Sequence, residues 1–197
     1  MAAHFRMSYL GALSYYLGIE VRQGKEALML SQSAYASKLL EQSDMAECKP
    51  CVATMEERLK LMKASTAAKV DTTLYRSIVG GLRYLVHMRP DIAFVVGYVS
   101  RFMEDPQEDY WATVKRLLRY VKGTVDQVIV FSKTSRSRLQ LIVFSNADMA
   151  GDIDGQRSTS DVLVFLGSAP ISWLSLKQKV VALSTCEAEY VAAATAA

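Results

Sequence analysis

The chain has 197 residues, of which 51% are hydrophobic and 22% charged, which excludes an intrinsically disordered protein and suits one domain or a little more. The net charge of +3, from 23 Lys and Arg against 20 Asp and Glu, points to no partner by itself. Its distribution does: residues 1–50 carry five charges of each sign, 51–100 seven basic and four acidic, 101–144 eight and five, and 145–197 three and six, so a basic middle joins an acidic end.

The first residues, Met1 to Met7, lack the basic-then-apolar pattern of a secretory signal. No stretch reaches the ~18 apolar residues of a membrane span. The expectation is an intracellular chain, cytoplasmic or nuclear, with no membrane partner. Cys48, Cys51 and Cys186 are too few and odd in number for a disulfide framework. Cys48 and Cys51 have C-x-x-C spacing, but the two histidines, His4 and His87, supply no second ligand pair for zinc.

In chain order, residues 14–22 and 27–31 are strand-like and joined by Gln23-Gly24-Lys25-Glu26, which suits a hairpin turn. From Ser33 to Gln42 the apolar spacing is helical, with Tyr35, Leu39 and Leu40 on one face. Residues 45–70 read as an irregular connector. Thr73 then precedes a helix with the stripe Leu74, Ile78, Leu82 and Leu85, ending before Arg89-Pro90. Asp91 is the expected cap of a third helix through Ile92, Val95, Val99 and Phe102. Asp105-Pro106 is the expected start of a fourth, with Tyr110, Val114, Leu117, Leu118 and Val121 inward and Lys122-Gly123 at its close. Residues 127–132, 139–145, 162–167 and 170–174 are short β-rich runs. Ser184-Thr185-Cys186-Glu187 forms a capping box for a last helix. That helix runs to Ala197 without a stop signal, and the sequence there reads as cut.

Two groups of residues invite chemistry. The outer face of the fourth helix carries Lys115, Arg116, Arg119 and Lys122, which is either a solvated helix surface or a phosphate-tracking one. The strand 139–145 runs into Asn146, Asp148, Asp152 and Asp154, and Glu187 and Glu189 follow about 35 residues later. A strand-end acid beside helix acids can hold two Mg²⁺ ions for phosphodiester cleavage; acids in a glycine-containing turn can equally be a solvated loop. Glu187 has a structural role in the capping box, leaving Glu189 free to face the sheet.

These residues carry a resemblance. Tyr16-Leu17-Gly18-Ile19-Glu20-Val21, Tyr75-Arg76-Ser77-Ile78-Val79-Gly80-Gly81-Leu82-Arg83-Tyr84-Leu85, Arg89-Pro90-Asp91-Ile92 and Ser100-Arg101-Phe102-Met103 come first. Lys115 to Thr124, Ala147-Asp148, Ala150-Gly151-Asp152, Arg157-Ser158-Thr159-Ser160, Ile171-Ser172-Trp173, Val181 to Thr185 and Glu187-Ala188-Glu189-Tyr190 follow. In this order they resemble the C-terminal half of the Pol polyprotein of Ty1/copia-type LTR retrotransposons.

The resemblance implies an α+β chain in three parts. Residues 1–31 would end a reverse-transcriptase palm, in the hairpin that holds the primer's 3′ end. Residues 32–135 would be the helical thumb and connection that grip template–primer duplex. Residues 136–197 would be an incomplete RNase H-like mixed sheet with its first helix. The family's activities are RNA-directed DNA polymerisation and Mg²⁺-dependent cleavage of RNA–DNA hybrids. Its Tyr-x-Asp-Asp palm hairpin lies upstream of the matched region. At the family's first RNase H aspartate this chain has Asn146, an amide with one oxygen and no negative charge. Glu189 matches the helix glutamate and is the remnant metal ligand; the family's third acid falls beyond Ala197, and Asp148 is a weak substitute.

Three functions follow as expectations. One is a non-catalytic piece of a Pol protein with residual binding to RNA–DNA or DNA duplex and no tightly bound Mg²⁺. Another is a hybrid nuclease completed by the remainder of the polyprotein in trans. The last is a secreted effector, from the R-x-L-R string Arg116-Leu117-Leu118-Arg119 and the E-E-R string Glu56-Glu57-Arg58, whose order is reversed. The half sheet is also expected to expose an edge and an apolar face.

Overall fold

The computed structural model describes residues 11–133 and 140–197. The expected boundary at 135/136 and the first residue of the run 139–145 lie outside these residues. The chain is α+β, with two antiparallel sheets and five α-helices among the described residues. None of those helices is long and apolar enough to cross a membrane.

The opening hairpin is a meander of β1 (Tyr15–Tyr16), β2 (Ile19–Gln23) and β3 (Ala27–Ser31). Val21 pairs with Leu30 and Arg22 with Met29, and the Gly24 amide donates to the Ala27 carbonyl to close the turn. β4 (Ile129–Ser132) then pairs with β3, Ile129 opposite Leu30. The run 127–132 thus returns to the first sheet instead of joining the later strands. Its partner is about 100 residues away, and no local periodicity encodes such a pairing.

α1 (Ser33–Gln42) buries Ala36, Leu39 and Leu40. It has no capping bond from its own N-cap; Glu20 of β2 instead accepts the Ala34 amide at 2.8 Å, a carboxylate at the positive end of a helix. α2 (Thr72–Leu85) is capped by Asp71, whose carboxylate accepts the Thr73 and Leu74 amides at 2.7 and 3.2 Å. Its inner face is Tyr75, Ile78, Val79, Leu82 and Leu85, and Leu74 lies outside. Tyr75 replaces Leu74 because its buried hydroxyl finds a partner, donating to the Val99 carbonyl at 2.9 Å. Gly81 faces α1: a Cβ there would sit 2.5 Å from Leu39 Cδ1, so glycine permits the close α1–α2 packing.

Two expected caps are corrected. Asp91 does not cap α3 (Ala93–Val99). Pro90–Ile92 forms a 3₁₀ turn, and the Asp91 carboxylate is taken by Arg89 and by the Tyr120 hydroxyl. Nor does Asp105 cap α4 (Glu108–Gly123); the N-cap is Gln107, without a side-chain bond. Lys69 of the connector forms a bridge with Gln107 and an ion pair with Asp105, which holds this segment extended and delays the helix. The inward stripe of α4 is the expected one, widened by Trp111 and Thr113. The four helices and Leu61 of the connector enclose one apolar cluster.

The second sheet is β5 (Leu141–Ala147), β6 (Thr159–Leu166) and β7 (Ala169–Lys177), ordered β5-β6-β7 and antiparallel throughout. It is therefore not a mixed sheet. Parallel pairing needs a crossover of about a dozen residues, and the connections here are the loop 148–158 and a turn at 167–168. α5 (Thr185–Ala196) packs Ala188 and Ala192 on this sheet. Ser184 caps it as expected, accepting the Glu187 amide at 3.2 Å. The reciprocal bond shifts by one residue: Glu187 accepts from Leu183, not from Ser184. The opposite sheet face meets α3, and Trp173 Nε1–H donates to the Val86 carbonyl at 2.8 Å.

Candidate metal-site remnant and nucleic-acid surface

The end of β5 and the first turns of α5 come together. Glu189 Oε1 accepts the backbone amide of Ala147 at 3.2 Å, so the helix acid reaches the residue next to Asn146. The side chains nevertheless diverge. Asn146 is opposite Asp161, which is opposite Ser175, and directly opposed residues share one face. That face looks towards α3, where Asn146 and Asp161 line a cavity with Asp91 and Phe94. α5 lies on the other face: Gln178 Nε2 bridges the Ser160 hydroxyl and the Ala188 carbonyl, both at 2.9 Å.

Asp148 is turned elsewhere. Its carboxylate accepts the Thr159 amide, and it fills the space that a Cβ on Gly151 would need. Asp152 is buried and pairs with Lys177 at 2.5 Å and, more loosely, with Arg101 at 3.9 Å. Burial pushes the Asp152 carboxyl up, but the Lys177 ammonium, the Gly155 amide and Arg101 outweigh it and hold the group below the usual range. Asp154 accepts the Lys63 amide at 3.0 Å and ties the 148–158 loop to the connector. These acids hold the loop in place.

This donor set does not fit a pair of Mg²⁺ ions. Where the resemblance implies a first ligand stands Asn146, an amide; one oxygen of Glu189 accepts the Ala147 amide, and the Asp148 carboxylate accepts the Thr159 amide. Among the described residues no group of three His, Cys, Asp or Glu could hold a metal ion.

Asp161 is the acid that sequence reasoning missed. It is half-buried, and burial pushes its carboxyl above the usual range, with Asp148 adding to the rise while nearby Ser175 and Arg101 act against it. The available signal was an acid inside the otherwise apolar run of β6.

On α4 the four basic residues separate into two kinds. Arg119 Nε donates to the Lys49 carbonyl at 2.8 Å, and Arg116 pairs with Glu56 at 3.3 Å. Both guanidinium groups thereby hold the connector, whose Cys51 amide bonds back to the Arg119 carbonyl. Lys115 is exposed, 5.7 Å from the Trp111 ring centroid, and Lys122 is half-buried. Within the R-L-L-R string Leu117 and Leu118 are fully buried, while Arg116 and Arg119 are half-buried. All three cysteines are free.

A family model described as reverse transcriptase (RNA-dependent DNA polymerase) matches residues 1–57. The chain is 43% identical over 178 residues to the retrovirus-related Pol polyprotein from transposon RE2 of Arabidopsis thaliana, covering 90% of this chain and 12% of that protein. It is 38% identical over its whole length to the mitochondrial protein AtMg00810 of Arabidopsis thaliana, spanning 81% of that relative. Over 60% of its length it is 43% identical to secreted RxLR effector protein 161 of Plasmopara viticola, spanning 82% of it. No solved structure matches significantly. The chain belongs to the copia-type retrotransposon Pol polyprotein family, and it spans about an eighth of the length of the RE2 polyprotein.

Proposed function

We propose that this chain is a structural piece of a copia-type Pol protein that does not cleave nucleic acid by itself and keeps a weak affinity for RNA–DNA or DNA duplex. The observation that carries the first half is the pairing of Asn146, at the family's first-acid position, with a Glu189 tied to the Ala147 amide. An amide cannot supply the charge that two divalent cations need, so the family's Mg²⁺ has no adequate seat here. The +6 excess of residues 51–144, fifteen basic against nine acidic, and the exposed Lys115 support the second half. Lys122 adds to that surface, while Arg116 and Arg119 shape it by holding the connector. The test is a hybrid-cleavage assay on the full chain in Mg²⁺ and Mn²⁺, alone and mixed with the remainder of a Pol protein. No cleavage is expected from the chain alone. Cleavage by the chain alone that Glu189→Gln abolishes would overturn the reading; cleavage appearing only in the mixture and lost with the same change would replace it with a nuclease completed in trans. Duplex binding is expected to fall with salt and to weaken about equally across sequences in Lys115→Glu and Lys122→Glu.

A further inference from the structure

The cavity between Pro90–Phe94 and the β5–β6–β7 sheet has a volume of about 410 Å³, within the ~300–1,000 Å³ of small-molecule sites. Strand register builds its floor. Phe144, Leu163 and Trp173 are directly opposite one another across the three strands, so their side chains share a face. Phe144 and Trp173 therefore stand about 10 Å apart, twice the ~4.8 Å strand spacing, with Leu163 between them. Phe94 of α3 lines the facing wall. The Trp173 ring is held by its bond to the Val86 carbonyl. One pleat repeat further along the same face, Asp161 lines the cavity too.

The charges single out the ligand. Among the described residues no Lys or Arg lines the cavity. Of its two aspartates, Asp91 is already neutralised by Arg89 at 2.7 Å. Asp161 is half-buried and no salt bridge of 4 Å or less engages it among the described residues, so a cation arriving beside it would relieve an unfavourable burial. Aromatic faces attract the same charge. A nucleotide would bring phosphates towards two acids with no cation to receive them. A neutral apolar ligand would strip water from Asp161 and return nothing.

We infer that this cavity binds a small organic cation, its quaternary or alkylated ammonium head set among Phe94, Phe144 and Trp173 and balanced by the Asp161 carboxylate. Asn146 lines this cavity too, whereas Glu189 comes from α5 on the other face of the sheet and the basic residues of α4 are not part of the lining. Ligand-observed NMR titration of the full chain tests it, with benzyltrimethylammonium, its neutral carbon isostere neopentylbenzene, and AMP as probes. The cation is expected to bind at least about tenfold more tightly than the isostere, and AMP not to bind. Asp161→Asn is expected to weaken the cation about tenfold and leave the isostere unchanged, and Phe144→Leu to weaken the cation severalfold. Equal binding of cation and isostere, undiminished binding by a folded Asp161→Asn variant, or AMP binding as tightly as the cation would each overturn the inference. Should Asp161→Asn fail to fold, the cation–isostere ratio on the unaltered chain decides alone.

Discussion

In the helical body, Tyr75, Ile78, Leu82, Leu85, Leu117 and Leu118 are each at most 1% exposed, whereas Leu141, Ile142, Val143 and Phe144 of β5 remain 41–63% exposed. The apolar residues buried around the second sheet are smaller: Val162, Ala169, Ala182, Ala188 and Ala192. Fully burying a Leu or Ile is worth roughly 1.5–3 kcal/mol, and an alanine methyl returns a fraction of that. So the helices hold themselves together, while the sheet depends on its attachment to them. The attachment includes three polar bonds, Trp173 to Val86, Arg101 to Thr159, and Asp154 to Lys63. Among the described residues β5 is an edge strand, and its apolar residues are exposed.

The contrast can be broken most directly in its stronger half. Leu118→Ala is expected to cost about 3 kcal/mol, in the usual ~2–5 kcal/mol range for a packed leucine, and Val143→Thr on the exposed strand under about 0.5 kcal/mol; urea unfolding of the two variants measures both. Comparable losses would mean that β5 is better packed than its exposure indicates. Next in size, Arg101→Ala removes the 2.9 Å bond to Thr159 and the weak pairing with Asp152, at a cost of about 1–2 kcal/mol. Amide exchange in β5–β7 is expected to quicken while α2 and α4 stay protected; uniform acceleration would show a single cooperative unit.

The smallest effect is that of acid. For Asp91, burial raises the carboxyl, but the Arg89 guanidinium and the Tyr120 hydroxyl overcome it and hold the group below its ordinary value. Asp152 is depressed in the same way by Lys177. A carboxyl whose folded pKa is depressed stabilises the fold above the unfolded value and loses that contribution as pH falls through the folded one. Stability is thus expected to decline below about pH 4, with a shallower decline in Asp91→Asn. Asp161 has the opposite sign, its cost appearing as pH rises past the ordinary carboxylate value. Thermal melts between pH 3 and 7 on the two asparagine variants separate these signs.

Much of the fold is legible in the chain itself. α1 lies at its expected residues, the inward stripe of α4 is readable, and the β2–β3 turn falls at Gln23-Gly24-Lys25-Glu26, because apolar periodicity and turn chemistry are local signals. The caps are less legible. Asp91 and Asp105 have capping chemistry, but Arg89 and Lys69 claim their charges. Asp71 and Glu20 serve helices instead. At the candidate site, Asn146 and Glu189 stand out in the chain, while Asp161 reads as one acid in a strand.

Sequence alone determined the family, the helix-forming stripes, the polarity of charge and the amide at position 146, since each is written in residue identity and spacing. Tertiary structure alone decided that β4 returns to β3, that Arg116 and Arg119 hold the connector, and that Asn146 faces α3 while Glu189 comes from α5 on the other face of the sheet. Those outcomes depend on contacts between residues tens of positions apart. Such contacts are settled by which surfaces must be buried together, and no local pattern records that choice.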